Sequence, residues 1–208
     1  MSSKYMTPIQ ITEPKILAVE GKDEKHFFEA LINSLNLSNI QILDIAGKQN
    51  FKYRLEVVAI SPVFFQVTSL GVVRDADTDP IGAFQSVCAA LRRAHLPVPT
   101  NAWQFCPGMP KVIVMIMPDG TSCGMLEDLC LRSVGQHATM RCVDQYFTCL
   151  NSQGINPHST LALSKAKVQT YLASKRETGI PLGIAALKGY WPLGNPSFAQ
   201  VTNILRSL

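Results

Sequence analysis

Short apolar runs separated by helical periods organise this chain. Residues 16–19 (Ile-Leu-Ala-Val) and 70–73 (Leu-Gly-Val-Val) are brief and continuous, as strands buried in a parallel sheet are. Residues 23–35 instead place Phe27, Leu31 and Leu35 in one i, i+4 row and Phe28 and Ile32 in the adjacent one, which predicts an amphipathic helix. Residues 40–45 read as a second strand, and the stretch around 50–60 as a helix burying Phe51, Leu55 and Val58. Asp79-Pro80 supplies an N-cap and a first-turn proline for a helix carrying Phe84, Val87, Cys88 and Leu91. Residues 111–117 form the most hydrophobic segment and the fourth strand. The βαβαβαβ order, with right-handed crossovers, predicts an α/β fold: a doubly wound, mostly parallel sheet of about four strands.

Beyond residue 122 the period becomes helical. Leu126, Leu129 and Cys130 share one face, Val143, Phe147 and Leu150 another, Val168, Tyr171 and Leu172 a third, and Phe198, Val201, Ile204 and Leu205 a fourth. Loops are expected at residues 154–158 and 188–196, which are rich in Gly, Asn and Pro. The expectation is one domain over 1–208, with 123–208 a mainly helical extension or cap packed on the sheet. At 208 residues and 47% hydrophobic content, the chain is long enough for a full core. No apolar run approaches the roughly 18 residues of a membrane span, and Met1-Ser-Ser-Lys-Tyr-Met lacks a signal-like apolar core, so no membrane partner and a cytoplasmic location are expected. Six cysteines (88, 106, 123, 130, 142 and 149) include no Cys-x-x-Cys pair and read as reduced core thiols, not zinc ligands or a disulfide framework.

Candidate chemistry gathers where apolar runs end. Glu20 follows the first strand, and Asp75 and Asp77 close the third. Ligands of open α/β sheets bind beyond the carboxyl ends of the strands, so carboxylates concentrated there point to a divalent metal. A net charge of +4 suits a polyanionic substrate without demanding one. Each residue also has a structural role open to it. Glu20 can accept first-turn N–H groups of the next helix. Asp79, followed by Pro80, reads as an N-cap. Glu127 and Asp128 diverge by about 100° on a helix, so at most one of them faces a site; Glu127 is preferred, with a solvated helix face the other reading. Lys48, after Gly47, and Lys188, before Gly189-Tyr190-Trp191, are candidates for phosphate contact, with packing the favoured role of the two aromatics over base stacking. His26, His95, His137 and His158 have no partner at ligand or triad spacing and are assigned no role.

These residues carry a resemblance. A strand ending in Glu20-Gly21, Glu24 four positions after Glu20, and a later strand ending in Asp75-Ala76-Asp77 together resemble the TOPRIM domain of topoisomerases, bacterial primases, ribosomal-RNA maturation nucleases and OLD-family nucleases. The stretch Met117-Pro-Asp-Gly-Thr-Ser-Cys-Gly-Met-Leu-Glu-Asp-Leu is similar to stand-alone prokaryotic TOPRIM-like proteins of unknown function. The resemblance implies a Mg²⁺- or Mn²⁺-dependent phosphodiesterase acting on DNA or RNA. Glu20, Asp75 and Asp77 would hold one metal, and Glu24 and Glu127 a second. Glu20 as general base is the other assignment it leaves open. Hard cations take oxygen ligands and keep several waters, so a few carboxylates suffice. A non-catalytic TOPRIM-like subunit that binds metal or nucleic acid is the alternative. The run Asp75-Ala-Asp-Thr also resembles the first motif of haloacid-dehalogenase-type phosphatases, with Asp75 as nucleophile, although that family carries the motif on its first strand. The chain has no Gly-x-x-x-x-Gly-Lys-Ser/Thr loop, so a homodimer or a partner protein is expected to add nucleic-acid contacts.

Overall fold

The computed structural model describes residues 10–155 and 159–208. Four strands, β1 (Lys15–Val19), β2 (Ile40–Asp44), β3 (Ser69–Asp75) and β4 (Lys111–Met117), form one all-parallel sheet in the order β2-β1-β3-β4. Helices α1 (Lys22–Ser34), α2 (Phe51–Ala59) and α3 (Pro80–Arg93) make the three crossovers, and α4 (Leu126–Val134), α5 (Ala138–Ser152), α6 (Thr160–Ala173), α7 (Leu182–Leu187) and α8 (Ala199–Ser207) follow. The expected α/β fold with C-terminal helices is what the chain adopts.

Successive strand residues point to opposite faces, and the core divides accordingly. Leu17, Val19, Val73, Ile113, Met115 and Met117 pack with α1 and with residues from α4 to α8. Ile16, Ala18, Leu70, Val72, Val112, Val114 and Ile116 pack with α2 and α3. Both faces of the central strands are therefore covered, which is why their sequences are continuous apolar runs and not alternating ones. Residues from 123 onward thus share a core with the sheet. The end of the chain is tied down as well: the Ser69 hydroxyl donates to the Leu208 carbonyl at 2.9 Å and Lys111 Nζ to that of Ser207 at 2.7 Å.

Helix starts follow local chemistry. Asp79 caps α3, accepting from Gly82 N–H at 2.8 Å with Pro80 in the first turn. Ser159 caps α6, accepting from Ala162 N–H. Element boundaries lie within a residue or two of those expected from the pattern, but α7 was not anticipated. Its six residues are too few for a helical period, and it exists because it packs on α1. Residues 156–158 of the expected 154–158 loop, with His158, and the start at Met1–Met6 lie outside the described residues. The expectation of core thiols is corrected. All six cysteines are free, but only Cys88 and Cys130 are buried, whereas Cys123, Cys142 and Cys149 are exposed, because helices α5 and α4's preceding loop turn those positions outward. Among the described residues, no helix is long and apolar enough to cross a membrane.

The α1–α7 contact admits no side chain at its closest point. A Cβ on Gly183 would stand 2.3 Å from the Asp23 carbonyl oxygen and 2.8 Å from His26 Cβ. Gly183→Ala is expected to lower unfolding free energy in urea by about 2 kcal/mol, since backbone must shift to relieve the overlap. Gly194→Ala, where the added methyl meets nothing within 4 Å, should stay within about 0.5 kcal/mol of the parent.

Candidate functional site

The carboxyl ends of the strands open into a cleft of about 600 Å³ bordered by α1, α4, α6 and α7. The site is built by three strand-end segments that converge because β1 lies between β2 and β3. After β2, Ile45 N–H donates to Val19 O at 2.9 Å and Gly47 N–H to Glu20 O at 2.8 Å, folding the loop back over the end of β1. After β3, Ala76 N–H donates to Met117 O at 3.0 Å, and Asp77 exchanges backbone hydrogen bonds with Gly124 at 2.9 and 2.8 Å. Asp77 has φ 52, in the left-handed region that Asp tolerates better than most residues.

Glu20, Glu24, Asp75 and Glu127 all line the cleft, together with Asp23, Asp44, His26 and Lys165. Asp75 Oδ1 accepts from Leu126 N–H at 3.0 Å, so the start of α4 meets the end of β3. Glu20 makes no capping bond to α1, whose N-cap is Gly21, and its Oε2 is buried without a hydrogen-bond partner. Glu24 Oε2 lies over Gly21, where a Cβ would come within 3.2 Å of it.

Electrostatics make this a strained cluster. Burial, then the neighbouring Glu24, Glu127 and Glu20, raise the Asp75 carboxyl well above its ordinary range, against the Leu126 N–H that lowers it. Burial, with Glu20, Glu127 and Asp23 adding repulsion, pushes Glu24 up to about 7. Burial also raises Glu127, with Lys165 opposing. Burial raises Glu20 too, while Arg74 and Lys48 lower it and Asp77 raises it. Desolvation disfavours the charged form of every member, and like charges compound it.

Asp77 and Lys48 lie beside Glu20 without being among the cleft-lining residues, and the remaining candidates lie outside the cleft. Asp77 pairs with Lys48 Nζ at 2.6 Å, and that bond raises the Lys48 ammonium above its ordinary value. Asp128 is structural: its Oδ2 accepts from Met125 N–H at 2.8 Å and its Oδ1 from the Ser164 hydroxyl at 2.6 Å, leaving Glu127 to the cleft. Lys188 is not among the cleft residues. It is an exposed side chain paired with Glu177 at 2.8 Å, because the turn after α7 directs it to the surface. Trp191 is buried, stacked on Tyr171 with centroids 5.2 Å apart and donating to Leu182 O, so it packs and does not stack on a base. Asp119, in the Met117-Pro-Asp-Gly stretch, is partly desolvated, yet Ser122 and Thr121 N–H groups and Arg132 hold its carboxyl well below the usual range. It stabilises the loop. Among the described residues, no three His, Cys, Asp or Glu side chains already converge in metal-ligating geometry.

Five charged or titratable cleft residues, Lys22, Asp23, His26, Asp44 and Lys165, are not singled out by the sequence. Asp44 ends a strand just as Asp75 does, so the same rule applied to β2 finds it, although its Oδ1 is engaged by Ala46 N–H at 2.7 Å. Asp23 sits in the first turn of α1, where its Oδ1 accepts from Gly183 N–H at 3.1 Å. His26 and Lys165 carry no local signal, since both reach the cleft only through helix packing.

The fold and cleft define a doubly wound α/β protein with a desolvated acidic site at the carboxyl edge of its sheet. The chain belongs to a family described as proteins of unknown function, DUF3226, whose model matches residues 14–208. Neither the curated proteins nor the solved structures contain a match to it.

Raised carboxylates bind protons more tightly folded than unfolded. Their contribution to stability is therefore present below the unfolded value of 4.5 and, for Glu24, lost as pH rises through about 7. In EDTA the melting temperature is expected to fall from about pH 5 to about pH 8, and Glu24→Gln to flatten that fall. Asp75→Asn keeps an oxygen for the Leu126 N–H while removing one charge, and should melt about 3–6 °C higher than the parent near pH 8.

Proposed function

We propose that this chain is a Mg²⁺- or Mn²⁺-dependent nucleic-acid phosphodiesterase of the TOPRIM type. The observation that carries the reading is the cluster itself: Glu20, Glu24, Asp75 and Glu127 crowd one desolvated cleft, with a buried Glu20 oxygen that has no partner. Such repulsion is costly unless a cation relieves it. Hard oxygen donors from neighbouring strand ends match Mg²⁺ or Mn²⁺ in chemistry. The donor set therefore fits the group.

Glu20, Asp75 and Asp77 would hold one metal, with Glu24 and Glu127 available to a second. When bound, the metal supplies an activated water and neutralises charge developing on phosphorus. Glu20 is also placed to take a proton from the attacking water if it is not itself a ligand, its raised affinity for protons being suited to a general base. Lys48, beside the site, is assigned to a substrate phosphate, and Lys22 and Lys165 are further cations in the cleft lining. Lys188, paired with Glu177 away from the cleft, is not assigned that task. A net charge of +4 gives little phosphate neutralisation, so a second copy or a partner protein is assigned much of the grip on DNA or RNA. Six free thiols suit the reducing cytoplasm, where we place the protein.

Purified protein is expected to cleave DNA or RNA with Mg²⁺ or Mn²⁺, and Asp75→Asn and Glu20→Gln to lose at least about a hundredfold in rate while remaining folded by circular dichroism. Binding without cleavage by the parent would mark a non-catalytic subunit. Hydrolysis of small phosphomonoesters through a phospho-aspartate at Asp75 would mark a phosphatase. Binding to single-stranded or duplex DNA should weaken steeply between about 0.05 and 0.2 M salt, as fluorescence anisotropy would measure.

A further inference from the structure

Lys48 and Asp77 form the shortest contact between oppositely charged groups at the strand ends, 2.6 Å, although the lysine side chain is 52% exposed and the aspartate 31%. An exposed pair of this kind shifts an equilibrium by at most about fivefold, so it is not what holds the loop in place. The lysine lies in a 3₁₀ turn, Lys48–Asn50, none of whose residues is buried. That turn is entered through two consecutive left-handed residues, Ala46 at φ 61 and Gly47 at φ 108. For Ala46 this conformation is disfavoured, and the loop carries it in order to return over the end of β1. The two partners are anchored unequally. Asp77 is clamped by two backbone hydrogen bonds to Gly124, while among the described residues the ammonium makes no hydrogen bond except to this carboxylate and otherwise feels only the longer-range charge of Glu20. Arg74, the other cation near Glu20, makes no ion pair among the described residues, and its Nε is buried without a partner.

From this geometry we infer that Lys48 is a displaceable internal counter-ion: it neutralises Asp77 until a divalent cation takes its place, and its ammonium is then released toward the phosphate of a bound substrate. The inference rests on the metal-site reading given above. The ammonium occupies Asp77 Oδ2, so a divalent cation that takes this oxygen competes with it directly and repels it at contact distance, and the mobile partner is the lysine. A cation binding to the carboxylates would thus prepare the anion-holding side of the site in the same step.

The test is Mn²⁺ binding by electron paramagnetic resonance at constant ionic strength, on the parent, Lys48→Met and Lys48→Gln, with Asp75→Asn as the reference for site loss. Both lysine variants are expected to bind Mn²⁺ about fivefold more tightly than the parent. Equal or weaker binding by both, with the parent's binding abolished by Asp75→Asn, overturns the counter-ion role and leaves the metal site standing. No Mn²⁺ uptake by any of these proteins at millimolar metal overturns the metal-site reading and this inference together.

Discussion

Six acidic side chains line one cleft, and for four of them, Glu20, Glu24, Asp75 and Glu127, burial together with mutual repulsion is the term the surrounding structure has to overcome. Two opposite partial charges help. The starts of α1 and α4 both face the cleft, and the Leu126 N–H is directed at Asp75. The larger restraint is mechanical. β3 is buried on both faces and paired on both edges, so Asp75 cannot retreat from its neighbours without dismantling the centre of the sheet. Burial first, with repulsion added to it, therefore raises the carboxyls of Glu20, Glu24, Asp75 and Glu127.

The sheet also sorts charge. Asp75 follows Val73 onto the face covered by α1 and α4, where Glu24 and Glu127 meet it. Arg74 belongs to the opposite side, near the first turn of α3, where Nη1 approaches the Ala83 carbonyl at 3.5 Å. Lys48 joins it there through Asp77. One side of the strand ends is consequently acidic and under-compensated, and the other nearly balanced. That polarity follows from the two-residue period of a strand applied to Arg74-Asp75.

How much of this the sequence disclosed depended on whether the cause was local. The β4 segment was legible to the residue because its apolar run is flanked by Pro110 and Pro118. Asp79 was legible as a cap because Pro80 follows it. The divergence of adjacent helical positions separated Glu127 from Asp128 correctly as to which one faces the cleft. Lys165 and His26 were not legible, because which side of α6 or α1 faces the cleft is decided by the helices packed against them. The same holds for Lys188, whose surface pairing with Glu177 spans a turn that no periodicity describes. Two of the exposed cysteines have a related reason: being in a helix does not say which way a residue points, and Cys142 and Cys149 lie on the outer side of α5, whereas Cys123 lies in the loop before α4.

Asp128 has a consequence for how the walls of the cleft are held. Its carboxylate joins the first turn of α4 to Ser164 of α6, and the next residue on each side, Glu127 and Lys165, lines the cleft. The tie between those two walls is a hydroxyl contact set back from the cleft. Glu127 and Lys165 are thus held opposite one another partly by a contact that uses neither of their charges, so either can be neutralised without loss of the tie between α4 and α6.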